Sequence, residues 1–236
     1  MRRLTEGWFE FGGVRCDDRH ARLMAMPKRP IPARRGEAQE VPGMDGDLWK
    51  GEKDARLPIV ISAECETTDG WSADELAEWL QGSGLLRFSD EPDRAYRARV
   101  TAGIPRENRF LSFDRQIFTV RFECQPHRYL YPAAEPTVLI AEGTVYNPGT
   151  AKSRPRITIE GSGDMTMAIG GQLIGVAGGS VIIDSELQDC FDPDGVTLAN
   201  GRVTLDEFPQ MLVGANPVSW TGNVTKITIE GRWRYL

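Results

Sequence analysis

The sequence predicts a mainly β chain of two domains, the first carrying a single helix and a long arm. Three observations predict it. Runs of apolar/polar alternation with period two recur along the chain, one short stretch has helical periodicity, and a proline-bearing break near residue 132 is followed by no further helix signal. Successive side chains of a strand point to opposite faces, so a strand with one dry face must alternate.

In the first region, Trp8-Phe9-Glu10-Phe11 alternates briefly and reads as a strand. Residues 24–58 are rich in proline, glycine and charge and lack periodicity. A compact domain rarely carries so long an irregular connection without a use for it, so we read it as an extended arm or long hairpin. The basic cluster Lys28, Arg29, Arg34 and Arg35 within it is broken by Pro27, Pro30 and Pro32, so no helix presents it as one face. A solvated loop is the expectation there. From Ile59 to Glu66 the residues Ile59, Ile61, Ala63 and Cys65 take one face, and Val60, Ser62, Glu64 and Glu66 the other. Ser72 and Glu75 form a capping box for a helix of about three turns, with Leu76, Trp79 and Leu80 on one stripe and Gly82 and Gly84 ending it. Strands follow at Leu85–Ser89 and Tyr96–Thr101. A longer one at Phe110–Gln125 has Phe118, Val120, Phe122 and Cys124 alternating with polar residues.

Tyr131-Pro132-Ala133-Ala134-Glu135-Pro136 reads as a linker, dividing a domain of residues 1–132 from one of 133–236. Beyond it the predicted strands are Thr137–Tyr146, Arg156–Glu160, Asp164–Ile169, Ser180–Asp184, Val196–Ala199, Val203–Leu205 and Val224–Leu236. Turn signals separate them: Asn147-Pro148-Gly149, Gly161-Ser162-Gly163, Gly170-Gly171, Gly178-Gly179, Asp192-Pro193-Asp194-Gly195 and Asn200-Gly201, the last a hairpin mark. Many short strands at this spacing predict a β-sandwich or barrel. In the last strand Ile227, Ile229, Gly231, Trp233 and Tyr235 share one face, and a slip of one residue would invert it.

Composition excludes several classes. The net charge of −6 argues against specific nucleic-acid binding, which needs a basic surface. No apolar stretch follows Met1-Arg2-Arg3-Leu4-Thr5-Glu6 and none is long enough to span a bilayer, so a soluble protein made in a cytoplasm is expected, without a membrane partner. Four cysteines, Cys16, Cys65, Cys124 and Cys190, lie far apart with no C-x-x-C pair. With His20 and His127 the only histidines, no metal site is expected, and Cys65 and Cys124 read as reduced core residues.

Catalysis finds few candidates. His20 lies in a charged turn and His127 follows Gln125-Pro126 at a predicted strand end, with no nucleophile elbow to accompany either. Asp189, Asp192 and Asp194 read as turn chemistry, and Glu64 and Glu66 as a shared solvent face. The glycine clusters precede no helix that would offer its N-terminus to a phosphate. No cofactor, no catalytic residue and no enzymatic activity are therefore expected. Trp49, Trp71, Trp220 and Trp233 have the chemistry to stack on sugars, though such residues more often fill cores, and Trp220 is the carbohydrate candidate.

Several segments, in order, resemble the siphophage distal tail proteins. Val41-Pro42-Gly43-Met44-Asp45-Gly46-Asp47-Leu48 resembles the family's VPGRDG element, with Met44 at the usual arginine. Leu111–His127 resembles the strand before the domain junction, and Asn147-Pro148-Gly149-Thr150 with Pro155–Ile159 resembles the first hairpin of the second domain. Ile227–Leu236 resembles the usual C-terminus, where a proline often replaces Gly231. The resemblance implies a β-sandwich-like first domain that forms a hexameric ring around a channel, its arm locking neighbours, and a galectin-like β-sandwich second domain outside the ring. The implied partners are copies of itself, the tail tube and tape measure proteins, the tail-associated hub protein and a receptor-binding protein, at the virion tail tip. DNA passing the channel would slide without sticking to an acidic wall. Pro42, Gly43, Met44, Asp45, Gly46, Leu48 and Trp49 are the oligomer-interface candidates. The alternatives are a carbohydrate-binding adhesion module of the tail tip and a tail-tube-like protein.

Overall fold

Phe118, Val120, Phe122 and Cys124 sit at alternate positions of one strand, and each is withdrawn from solvent. Around such rows the computed structural model builds two compact units, Met1–Arg128 with Leu236, and Tyr129–Tyr235. It describes residues 7–67, 73–108 and 116–236. Ser72 of the expected capping box, Trp71, the N-terminal Met1–Glu6 and the Phe110 start of the long strand lie outside the described residues.

The first unit holds β1 (Phe9–Phe11), β2 (Val14–Arg15), β3 (Ala21–Leu23), β4 (Arg34–Glu40), β5 (Asp47–Arg56), β6 (Ile59–Thr67), helix α1 (Ala73–Trp79), β7 (Gly82–Phe88), β8 (Glu91–Val100), β9 (Arg106–Asn108) and β10 (Gln116–Leu130). The main sheet runs β2-β1-β7-β8-β10-β6-β3, with β9 added to β10. Register follows the apolar rows: Phe118 faces Cys65, Val120 faces Ala63 and Phe122 faces Ile61. Phe122 meets Phe9 and Phe11 at ring separations of 5.5 and 5.3 Å, and Trp79 stacks on Phe9 at 5.4 Å. The Trp79 indole N–H donates to Phe11 O at 3.2 Å, so helix α1 is bonded as well as packed to β1. Leu76, Trp79 and Leu80 are buried, as the helical stripe requires. The helix is shorter than expected, because Gly82 (φ +73) turns the chain into β7 instead of merely ending α1.

Two expectations for this unit change. Glu66 was expected on the solvent face but is 4% exposed, because burial is continuous over Cys65–Thr67 where β3 covers the strand end. The cross-strand partner Arg22 donates to its carboxylate at 2.8 Å, which makes a buried charge tolerable. His127 lies inside β10, which runs on through Gln125-Pro126 to Leu130, and not at a strand end.

The second unit holds β11 (Thr137–Leu139), β12 (Gly143–Asn147), β13 (Arg156–Ile169), β14 (Gln172–Val176), β15 (Val181–Asp184), β16 (Asp189–Phe191), β17 (Val203–Leu205), β18 (Gly214–Glu230) and β19 (Arg234–Tyr235). Two long antiparallel strands, β13 and β18, pair along nearly their whole length. Each takes different neighbours at its two ends. The first half of β13 pairs β15 and the second half β14; the first half of β18 pairs β12 and the end pairs β11. The sheet therefore forks into two layers that share both long strands. Ile157, Ile159, Ile227 and Ile229 of one layer and Met167, Ile169 and Val218 of the other belong to a single buried cluster.

The bend that folds one layer over the other lies where register shifts interrupt the pairing of β13 with β18, around Gly161 and Ser162. Bare glycines make it fit. A Cβ on Gly161 would stand 2.4 Å from Asn223 O, and one on Gly222 (φ +91) 2.5 Å from Asp164 O. Gly161-Ser162-Gly163 is thus a bulge within one strand and not a turn between two. Further corrections follow from this frame. Thr137–Tyr146 is two strands, β14 and β16 were not anticipated, and Val196–Ala199 contributes only a bridge from Leu198 to Phe191. Asn200-Gly201 opens a 3-10 turn, with Asn200 Oδ1 accepting from Cys190 N at 2.6 Å. Asn147-Pro148-Gly149 does not join a hairpin, since β12 and β13 both pair with β18.

The closing strand is also interrupted. Arg232 (φ +46) breaks it after Glu230, and its guanidinium donates twice to the Asp184 carboxylate, at 2.8 Å each. Trp233 turns back over Gly231, where a Cβ would stand 2.1 Å from the indole. Burial alone pushes the Asp184 carboxyl up. The Arg232 hydrogen bond, the Leu187 N–H, the Arg232 charge and the Glu186 N–H outweigh it and hold the group below its ordinary value.

All four cysteines are buried free thiols. Burial pushes Cys124 up to about 12 and Cys190 up to about 11, and raises Cys16 and Cys65 as well.

Phe122→Ala is expected to cost roughly 3–5 kcal/mol of first-unit stability, read from denaturant unfolding. A carboxyl held low in the folded state stabilises above its unfolded pKa, and that contribution is lost as pH falls through the folded value. The stability advantage of the native chain over Asp184→Asn should therefore be full near neutrality and shrink as pH falls from about 5 to about 3. Melting curves across that range check it.

Candidate assembly site

The arm is a β-hairpin, within the arm-or-hairpin alternative read from the sequence. Strands β4 and β5 pair only with each other among the described residues, from Arg34 opposite Arg56 to Glu40 opposite Asp47. Between Ala33 and Gly51 every residue is exposed except Gly36 and Val41, which are half-buried. A ribbon of two strands has no second layer to dry its faces and is marginal alone in water.

Two local devices stiffen it. Gly36 faces Gly51, and a Cβ on Gly36 would stand 2.6 Å from the Trp49 indole. The aromatic ring thus lies over a cross-strand pair of glycines and supplies the contact surface they lack. At the base, Leu57 N donates to Ala33 O at 2.9 Å, and Arg56 donates to Pro32 O at 3.5 Å. Arg29, expected in a solvated loop, instead pairs with Asp90 and with Glu91 at 3.3 Å, and its guanidinium lies 5.2 Å from the Phe88 ring centre. Arg128 holds Glu91 from the other side at 2.7 Å. The root of the hairpin is thereby pinned to the main sheet.

The candidates Pro42, Gly43, Met44, Asp45 and Gly46 form the tip. Gly43 (φ +83) and Gly46 (φ +80) take conformations that side-chain-bearing residues rarely adopt, and Met44 N donates to Val41 O at 3.1 Å. Pairing puts Trp49 with Ala38, Gly36 and Gly51 on one face of the ribbon, and Leu48 with Gln39, Glu37 and Lys50 on the other. Trp49, Met44 and Leu48 are 57%, 52% and 44% exposed. The structure thus gathers the first five candidates at one end and sends Leu48 and Trp49 to opposite faces. Like charges face each other at both ends: Glu40 opposite Asp47 near the tip and Arg34 opposite Arg56 at the root.

The root network was not visible in the sequence, where Arg29, Glu91 and Arg128 are widely separated. The glycine pair carried a weak signal on one side only, an isolated Gly51 two residues after Trp49 in a charged run.

The other candidates fall elsewhere. Trp220 is half-buried and packed on the second core, and its backbone N–H donates to the Glu142 carboxylate at 3.2 Å. Trp233 is 7% exposed in that core. Asp194 caps its own turn, accepting from Val196 N and Thr197 N at 2.9 Å; Asp192 pairs with Arg202, and Asp189 accepts from Asn200 at 3.0 Å. The Thr197 hydroxyl and then the two backbone N–H groups hold Asp194 below the usual carboxylate range. His20 is the left-handed cap of a 3-10 turn, its N donating to Asp17 O at 3.1 Å. Among the described residues no group of three or more His, Cys, Asp or Glu is placed to hold a metal ion, and no helix is long and apolar enough to cross a membrane.

Trp49→Ala should loosen the ribbon by about 1 kcal/mol while leaving the main sheet intact. Amide exchange should speed up over residues 36–51 and stay unchanged over β6 and β10.

Residues 22–124 match the family model described as phage tail protein RIFT-related domain. No curated protein matches the chain. The crystal structure of SPP1 Dit (gp 19.1), described as a paradigm of the hub adsorption apparatus in phages infecting Gram-positive bacteria, is similar over 98% of this chain and 99% of that one, with TM-score 0.73 and 16% identity. A chain of the phage P2 baseplate in its activated, calcium-bound conformation is similar over 94% and 97%, with TM-score 0.51 and 8% identity. The hairpin thus lies within the segment that is similar to the phage tail protein RIFT-related domain, in a chain whose fold is similar to that of SPP1 Dit.

Proposed function

We propose that this chain is a non-catalytic structural protein of a siphophage tail tip. Copies of it close into a hexameric ring that joins the tail tube and tape measure proteins to the tail-associated hub protein and adhesion apparatus. Its first unit, 1–132 in our division, makes the ring, and its second, 133–236, is a galectin-like sandwich outside it. A receptor-binding protein attaches at the same level.

The observation that carries the reading is the hairpin. Its faces are exposed, its tip is apolar and acidic, and its root is pinned, which is the form of a clasp whose second layer is a neighbouring copy. The neighbour also supplies countercharge to Glu40 and Asp47, which face each other unfavourably in the lone chain. Head-to-tail contacts of this kind close into rings when the rotation per subunit permits. Likeness to SPP1 Dit over almost the whole chain, second unit included, favours this reading over a tail-tube subunit.

Replacing Arg34–Arg56 by a short glycine-serine bridge leaves the Arg29 anchor in place. Self-association should weaken by about a hundredfold or more, with light scattering showing a ring mass for the native chain and a monomer for the variant. Negative-stain images of the native chain should show rings. A truncated chain that keeps the full oligomeric mass would sink the clasp.

A further inference from the structure

The second unit has an open cleft of about 410 Å³ whose lining is mainly polar. Three segments frame it. One wall carries Arg154, next to Ser153, whose backbone exchanges hydrogen bonds with Met211 at 3.0 and 3.1 Å. The turn after β15 supplies Ser185 and Gln188, and the segment before Met211 supplies Asp206, Phe208 and Gln210.

The turn is preorganised. Asp184, fixed by Arg232, accepts from Glu186 N at 3.0 Å and Leu187 N at 3.2 Å. Gln188 (φ +59) closes the turn by donating from its N to Asp184 O at 2.8 Å. Gln210 is held in place by a 2.7 Å bond from its N to Gln172 Oε1, and Phe208 packs on the core.

The independent observation is Ser185. It is 1% exposed and lines the cleft, yet its hydroxyl has no hydrogen-bond partner among the described residues. Buried hydroxyls are almost always satisfied, so one left unmet in a cleft wall is addressed to something the cleft receives. Arg154, Asp206 and Glu207 are exposed to solvent and set charged groups along the cleft's lining.

We propose that this cleft binds a neutral saccharide. Carboxylates accept from sugar hydroxyls, while the guanidinium, amide and serine groups donate to ring and hydroxyl oxygens, and Phe208, half-buried in the lining, adds apolar surface for sugar C–H groups. Two carboxylates against one guanidinium disfavour a phosphate or carboxylate ligand. Trp220 is not among the residues lining the cleft.

The test uses the full chain labelled with ¹⁵N and titrated with methyl α-glucoside, methyl β-galactoside and N-acetylglucosamine, with inorganic phosphate as the anionic probe. An open site of this kind should bind one of the sugars with a Kd on the order of 1 mM. The Gln188, Phe208 and Gln210 amides should shift on binding. Ser185→Ala removes a hydroxyl that has no partner among the described residues, so folding should be unimpaired while affinity falls several-fold; Asp206→Asn should lower it about tenfold. Silence with all three sugars, shifts confined to the neighbourhood of Trp220, or an equal response to phosphate would overturn the proposal.

Discussion

A two-stranded ribbon has one hydrogen-bonded seam and two wet faces, and the organisation of the first unit follows from that shortage. The main sheet dries one face under helix α1, where its own Phe9, Phe11 and Phe122 rings meet. The hairpin β4–β5 has no such layer and keeps Trp49 half in water. It holds its shape by other means, a ring laid over a glycine pair and a root fixed by the Arg29–Glu91–Arg128 chain of charges. Partly buried charge networks with several members are worth more than isolated surface pairs, which suits an anchor that must hold while the tip stays available.

The second unit solves the same problem differently. It makes one pair of strands serve two layers. Because β13 and β18 bend together at their bulge, odd-numbered residues on either side of the bend, Ile157 and Ile159 before it and Met167 and Ile169 after it, point into one core. The cost is steric and falls on Gly161 and Gly222, where any side chain would strike the opposing backbone. The segment after the bend ends in Arg232 and Trp233, so the Asp184 pairing ties the C-terminal residues to the turn that frames the polar cleft.

How much of this the sequence disclosed depended on range. Strands with a wet face, such as β6 and β10, were plain from alternation, and so was the helical stripe of Leu76, Trp79 and Leu80. Glycine-rich bulges were misread as turns, since Gly161-Ser162-Gly163 has the composition of both and only the partner strand distinguishes them. The start of β18 was missed for a related reason: Pro217, Gly222 and Asn223 look like punctuation, yet Pro217 sits in register with Thr144. Short strands with one exposed apolar residue, such as β14 with Leu173, gave no clear period. The hairpin tip was marked only by the resemblance of Val41–Leu48 to a known family element, since no alternation frames it in the sequence. The ion pairs at its root and the cleft around Ser185 were not, because both join residues distant in the chain.

The four thiols have a further consequence. Each is buried, and burial raises its pKa, so almost no thiolate exists near neutral pH to attack an oxidant or another sulfur. Subunits crowded together at high local concentration would not scramble into mixed disulfides, and any association between them rests on noncovalent contact alone. For the same reason the folded surface offers no accessible thiol, and a single cysteine introduced at Met44 would report on the tip against a low background.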